Sequence, residues 1–445
     1  MKLFHPKSPF ENRHGQHGSV LIIVLWIAIG LVSIALYFAN SMTFELRASD
    51  NRASGLATEQ AVEGAARYIS YVLANYATNG AVPSNTMFSC EAVPVGDAHF
   101  WIIGRDLDGT SSSDPSFGLI DEGSKLNLNT AGTNTLYSLP NMTADFANAI
   151  VDWRSTNGSG GYSLNYGNLG YEDKNAPFET VDELRLVYGA TIDLLVGDDV
   201  NRNGVLDANE KSVNGDSSFT PGLFEYVTVY TREPNFHTDG SSLTNVNNRA
   251  ELQALLQTDL GSSRAAQITN RIKNQTFTSL LQFYLSSGMN STELPKIIND
   301  ITISSSAYTR GRVNVNTAGA TVFEALFMGL GVDQSTATSA AQNLINYREQ
   351  NPNNLGSIAW VVDALGNNNP VVSALAQGDY ITTRSFQFTA DVAAVGPFGR
   401  GYRRVKFVFD TSDGTPKIIY RQDLSRLGWA LGEKARETWV VKETQ

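Results

Sequence analysis

The sequence predicts an α+β protein: a long N-terminal helix packed on an antiparallel sheet, with a large α-helical region inserted between the two parts of that sheet. Three observations predict it. The N-terminal part carries one uninterrupted helical pattern, a segment in the middle recurs three times, and strand-like alternating runs flank the recurrence on both sides.

The 445 residues, 42% of them hydrophobic, suffice for about two to three domains, each with its own core. A formal charge of -11, from 44 acidic and 33 basic side chains, argues against DNA or an anionic membrane surface as the main partner. Cys90 is the single cysteine, so no intrachain disulfide forms, and it reads as a small buried hydrophobe.

The helix comes first. No charge occurs from Ser19 to Phe44, and Ser19 to Phe38 is almost wholly apolar, close to the ~20 residues that span a bilayer. Lys2, Lys7 and Arg13 outnumber Glu11 upstream, which keeps the N-terminus cytoplasmic and sends the body into the periplasm. The apolar run exceeds the core of a secretory signal, about 7 to 15 residues. No proline occurs between Pro9 and Pro83, and Val62, Ala66, Ile69, Leu73 and Tyr76 recur at helical spacing. Anchor and amphipathic stem therefore read as one rod.

Gly18 directly before Ser19-Val20-Leu21-Ile22-Ile23 resembles a class III prepilin site. The resemblance implies cleavage after Gly18 by a prepilin peptidase and N-methylation of Ser19. Pilins carry a glutamate at the fifth mature position, where this chain has Ile23. In the family that glutamate neutralises the N-terminal amine of the neighbouring subunit, a charge costly to leave unpaired in hydrocarbon. A subunit placed first has no earlier neighbour to neutralise. With its large body, the chain thus resembles the K-type minor pseudopilins of type II secretion systems. That resemblance implies a non-enzymatic subunit at the pseudopilus tip, held in the inner membrane, with I- and J-type minor pseudopilins as partners. It also implies a pilin-like sheet interrupted by a helical insertion. The expected divisions are a leader at 1–18, the pilin helix at 19–78, sheet parts at 79–124 and 377–445, and the insertion at 125–376.

The recurrence supplies the helical region. KLNLNTAG from Lys125 matches RVNVNTAG from Arg312, and NVNNRAEL from Asn245 is a fainter copy; each copy is read as ending in a helix with an arginine, namely Arg154, Arg348 and Arg271. Each is trailed by an apolar helix-like segment, beginning at Phe178, Phe277 and Leu355. Such helix-turn-helix units resemble helix-hairpin-helix modules, in which a Gly-h-Gly turn such as Gly329-Leu330-Gly331 holds a DNA phosphate. Residues 312–349 carry two basic side chains, Arg312 and Arg348, against Glu324, Asp333 and Glu349, so the footprint of phosphate binding is missing. The units read as packing modules and no nucleic acid is expected. The alternative is a DNA-binding component of an uptake or type IV pilus.

Between the first and second copies, residues 199–210 follow the twelve-position EF-hand-type loop. Asp199, Asn201 and Asn203 supply side-chain oxygens, Gly204 the bend, Val205 its carbonyl and Leu206 an apolar plug. Asp207 acts directly or through water, and Glu210 closes the set. The expected ion is calcium, bound as a stabilising clip in a calcium-rich exterior, and calcium is also a feature of the K-type family. Asp106-Leu107-Asp108-Gly109 starts like a second loop but lacks the closing glutamate and reads as a turn; spacing does not support an ion at Asp216.

Strand-like runs lie near Phe100 and Leu119 and, after the repeats, at SFQFTADVAAV, RRVKFVFD and KIIYRQ, the last two joined by an Asp413-Gly414 turn. No nucleophile elbow, phosphate-cradling loop, histidine pair or cysteine cluster is present. His5, His14 and His17 precede the cleavage site, and His99 and His237 stand apart in sequence. A membrane-tethered enzyme is the third class of function weighed.

Overall fold

The computed structural model describes residues 17–105, 114–156, 162–208, 210–212 and 219–439. The chain divides into two compact units, Met1–Leu56 and Ala57–Gln445.

The first unit holds most of the N-terminal helix, His17–Tyr76. Its large apolar side chains from Val20 to Leu46, Trp26 and Phe38 among them, are exposed. A helix apolar on every side satisfies its backbone internally and needs an apolar solvent for its surface. Among the described residues this is the one helix long and apolar enough to cross a membrane.

In the second unit the end of the same helix turns amphipathic. Ala61, Val62, Ala65, Ala66, Ile69 and Leu73 pack against Phe100, Ile102, Phe388, Val392, Phe407 and Phe409 of the sheet. The spacing of three to four residues places them on one stripe. Full burial of Ile69 or Leu73 contributes about 1.5–3 kcal/mol each. Tyr76, expected on this stripe, is 40% exposed because the helix ends there.

The sheet is antiparallel around Gln387–Val395, every residue of which is buried. Ala98–Ile103 pairs on one side with Val392 opposite Ile102, and Tyr402–Asp410 on the other with Val392 opposite Val405. Val93–Val95 and Lys417–Asp423 form the outer strands. Period-two alternation splits the central strand. Phe388, Ala390, Val392 and Ala394 face the helix, while Ala393 and Val395 join Trp101, Ile103, Ala430 and Leu431 on the other face. Near Leu119 only Ile120–Asp121 is extended. The Asp121 carboxylate takes the Gly123 N–H at 2.7 Å and curls Glu122–Ser124 into a 3₁₀ turn.

Helices fill the chain between these sheet segments and share one apolar core from Leu126 to Ile381. The three copies fold alike. Each opens on a two-residue strand, at Leu126–Asn127, Thr244–Asn245 or Val313–Asn314. Each closes on a parallel one, at Val227–Thr228, Ile301–Thr302 or Ile381–Thr382. Between them stand the helix pairs Thr133–Tyr137 with Ala144–Arg154, Arg249–Leu260 with Ser262–Arg271, and Ala320–Gly329 with Gln334–Gln350. Of the trailing segments, Leu280–Ser287 and Ala359–Leu365 are α-helices, whereas Val181–Leu186 is 3₁₀.

Candidate functional site: the repeat turns and the oxygen-rich loop

The asparagines that mark the repeats fasten backbone. Asn127, Asn245 and Asn314 each accept the N–H two residues on, at 2.8, 2.9 and 3.0 Å. Asn129 and Asn247 clamp the backbone N–H and C=O of Phe178 and Phe277, and Asn316 holds Leu355 O and the Trp360 indole N–H. These bonds satisfy backbone groups that burial would otherwise orphan.

The arginines also turn inward. Arg154 donates to Leu128 O and Ala131 O, and Arg348 to Val315 O and Ala318 O. In the second copy the expected Arg271 does not do this. Arg249, at the start of the first helix, reaches the equivalent Val246 O instead. A guanidinium needs only to arrive at the carbonyl, and the fainter copy brings one from the near side.

The helix–helix turns use left-handed residues, Asn141 at φ 58°, Gly261 at 84° and Gly331 at 90°, which glycine and asparagine adopt at low cost. At Gly329-Leu330-Gly331 the amides are already bonded: Leu330 N donates to Leu326 O, Gly331 N to Met328 O and Val332 N to Phe327 O. The following helix begins at an Asp333 carboxylate that accepts from Thr336 N at 3.0 Å. Hydrogen bonds from Ser335 and Thr336 push its pKa down to about 2. Bonded amides beside a fixed anion do not make a phosphate cradle. At this turn the geometry disfavours the DNA reading.

The oxygen-rich loop lies inside the first repeat, between the helix Ile192–Val196 and the closing strand at Val227. Its side chains fold inward, and Asp199, Asn201, Asn203 and Val205 are buried. Asp199 accepts from Asn203 N and Gly204 N, each at 2.8 Å, one on each oxygen. Gly204 stands at φ 88°, as the sharp bend requires. Asp207 Oδ2 receives Asn201 Nδ2 at 2.5 Å and Asn203 Nδ2 at 3.0 Å. Glu210 closes the loop by accepting Asn201 N and Asp207 N, both at 3.0 Å.

Asn201, Asn203 and Asp207 are thus brought together, with Asp199 and Glu210 fastening the backbone around them. Among the described residues no group of three or more His, Cys, Asp or Glu side chains is placed to hold a metal; the two amide nitrogens meet Asp207, while the amide oxygens of Asn201 and Asn203 accept Asn203 N and Val205 N, so the oxygens of the loop are engaged with its own N–H groups. By residue type, the Asp, Asn and Glu side chains and the Val205 carbonyl are those that could hold a hard, oxygen-seeking cation once the amides turn. Burial pushes the Asp199 carboxyl up to about 6 against the opposing pull of Arg105, and burial also raises Glu210. A cation bound here would add positive charge to these buried carboxylates.

The sheet grips this loop through residues that sequence reasoning missed. Arg404, fully buried, forms a bidentate pair with Asp391 at 2.8 and 2.6 Å and donates to Asn201 O and Arg202 O. Arg105 donates to Arg202 O at 2.8 Å and pairs with Glu225 at 2.9 Å. In the sequence Arg404 looks like an exposed residue of a strand, and nothing there marks its pairing with Asp391, since the residue opposite Asp391 is Lys406.

Gly18 and Ser19 lie in the first turn of the N-terminal helix. His99 packs at a tilt of 43° against Trp439 with ring centroids 4.3 Å apart, and His237 Nε2 lies 3.8 Å from Asp300, a neighbour that its isolation in sequence did not suggest. Cys90 is buried, as expected, and burial pushes its thiol up to about 11. The Asp106–Gly109 turn and Asp216 fall outside the described residues.

No family model matches the chain, and no curated protein matches it by sequence. Among solved structures, it is similar to a chain in the crystal structure of the GspK-GspI-GspJ complex from the enterotoxigenic Escherichia coli type 2 secretion system. The identity is 10%, the TM-score 0.42, and the match covers 85% of this chain and 99% of the other. At that identity and score the likeness does not assign the chain to a family.

Proposed function

We propose that this chain is a minor pseudopilin of the K type, a structural subunit at the tip of a type II secretion pseudopilus rather than an enzyme. The N-terminal helix carries the reading: exposed apolar side chains from Val20 to Leu46, then a stripe from Ala61 to Leu73 buried on an antiparallel sheet. One element thereby joins a membrane anchor to a folded body. Gly18 and Ser19 at its start suit cleavage and methylation by a prepilin peptidase. Ile23 suits a subunit with no earlier neighbour to pair. The body then lies in the periplasm with its anchor in the inner membrane, against I- and J-type partners. Asp199, Asn201, Asn203, Val205, Asp207 and Glu210 would hold calcium, which supplies charge compensation and a cross-link within the loop.

Co-expression with a prepilin peptidase tests this reading. The expected product is a chain beginning at N-methylated Ser19, by intact mass, that co-purifies with I- and J-type subunits. An uncleaved chain, or one that ignores those partners, overturns it.

A further inference from the structure

Where the end of the N-terminal helix meets the second repeat and the sheet, the second unit holds a cavity of about 240 Å³, several times the ~30 Å³ share of one water. Leu73, Ala77, Phe236 and Phe386 give it apolar walls. A close approach sets its shape. Gly80, at φ 79°, brings the turn after the helix onto the sheet side, where Gly80 O accepts Ser385 N at 2.8 Å. A Cβ there would come within 2.8 Å of Arg384 Cβ and the Phe386 ring, so glycine is required.

Among the described residues, three ionisable side chains line the cavity, His237, Asp300 and Arg384. His237 and Asp300 stand at the mouth with 37% of each side chain exposed, whereas Arg384 lies inside with 11%. Arg384 is short of acceptors. Its Nη2 lies 3.5 Å from Glu233 Oε2, its guanidinium stands 5.9 Å from the Phe386 ring centre, and among the described residues it donates no hydrogen bond. Arg312 has already taken those carboxylates, touching the two oxygens of Glu233 at 2.9 and 3.1 Å and Asp379 at 3.3 Å. Burial pulls the Arg384 pKa down in spite of Glu233, as it does for a cation with too little opposing charge.

We propose that this cavity binds a small organic monocarboxylate, with the carboxylate on Arg384 and the hydrocarbon body against Leu73, Ala77 and Phe386. A guanidinium presents its N–H donors as a planar fork that matches a carboxylate with two parallel bonds. Apolar walls around one such group are the usual build of a small-molecule pocket. A bare inorganic anion would leave those walls unused. A phosphate dianion would set its second charge against Asp300 with no further cation to meet it. The cavity shares no residue with the loop at 199–210, so the site stands apart from the calcium reading.

Calorimetry of the full chain in detergent tests the site, with phenylacetate and its uncharged counterpart phenylacetamide as probes. Phenylacetate is expected to bind once per chain with a Kd of about 1 mM or below, at least tenfold tighter than the amide. Arg384→Gln is expected to abolish that difference. Ala74→Trp adds bulk at the mouth from an exposed helical position, which leaves the core untouched and serves where the first variant fails to fold. It is expected to weaken phenylacetate binding at least tenfold. No saturable binding of phenylacetate, equal affinity for acid and amide in the wild-type chain, or binding that Ala74→Trp leaves unchanged overturns the proposal.

Discussion

The first and third repeats share a strand-Asn-x-Asn opening and an arginine on the same two carbonyls, yet they dock differently. In the first, Asn127 reaches a neutral partner, the Thr231 hydroxyl, at 2.7 Å. In the third, Asn314 and Thr317 donate at 2.9 and 2.5 Å to one oxygen of Asp121, a carboxylate buried beside the central strand. The trailing segments diverge as well. Glu183 folds back onto Thr180 N at 2.9 Å in a capping box and onto Glu179 N at 2.7 Å, and in the second repeat Gln282 makes only the equivalent of the latter bond, to Thr278 N at 2.9 Å. The equivalent position in the third is Trp360, buried and stacked on Tyr347 at 5.7 Å. One backbone plan is thus held by local polar caps in one copy and by aromatic packing and a buried charge in another.

Trp360 offers the largest test of this contrast. Trp360→Ala is expected to cost about 3–5 kcal/mol, through a cavity and the orphaned Asn316 oxygen. Glu183→Ala should cost only about 1 kcal/mol, the value of a cap. Denaturant unfolding measures both, and equal losses would break the comparison.

The buried carboxylate comes next. Burial pushes the Asp121 pKa up to about 6, despite hydrogen bonds from Ser385, Thr317, Gly123 and Asn314. The unfolded value is lower, about 3.9. Between the two the folded chain holds a proton that the unfolded chain has lost, so this group makes stability fall as pH rises from about 4 to about 6, by on the order of 2–3 kcal/mol. Unfolding of the wild-type chain and Asp121→Asn across that window is expected to show a steeper slope in the former, the slope left in the variant coming from Asp199, which burial also raises to about 6. An equal change on Asn127→Ala would show that the two docks do not differ.

The turn supplies the smallest effect. Gly331 at φ 90° has open space where a Cβ would sit. Gly331→Ala is therefore expected to cost about 1 kcal/mol from backbone conformation alone, measured as a shift in Tm. Asn141→Gly in the first repeat should change stability by a few tenths of a kcal/mol at most.

Periodicity made the large elements legible. The apolar run, the stripe at Val62, Ala66, Ile69 and Leu73 and the alternating C-terminal strands needed no more than 3.6- and two-residue spacing. Ala61 and Ala65 escaped notice because small side chains carry little hydrophobic signal, although they let the helix lie close to the sheet. The short closing strands at Thr228, Thr302 and Thr382 were invisible, since two extended residues have no period. The loop at 199–210 was readable as a tight turn because its Asp, Asn and Gly stand at fixed offsets that a sharp bend favours. Its anchors Arg404 and Arg105 were not, since a buried ion pair and an exposed charge look alike until the fold brings the partners together.

The parallel strands that open and close each repeat have a further consequence. Neighbouring strands stand about 4.8 Å apart, so the chain enters and leaves each repeat at nearly one point. A segment with coincident ends behaves as a cassette: it can be copied in tandem or lengthened without moving the residues on either side of it. The loop at 199–210 is one such lengthening, tolerated because the first repeat still returns to its starting strand at Val227.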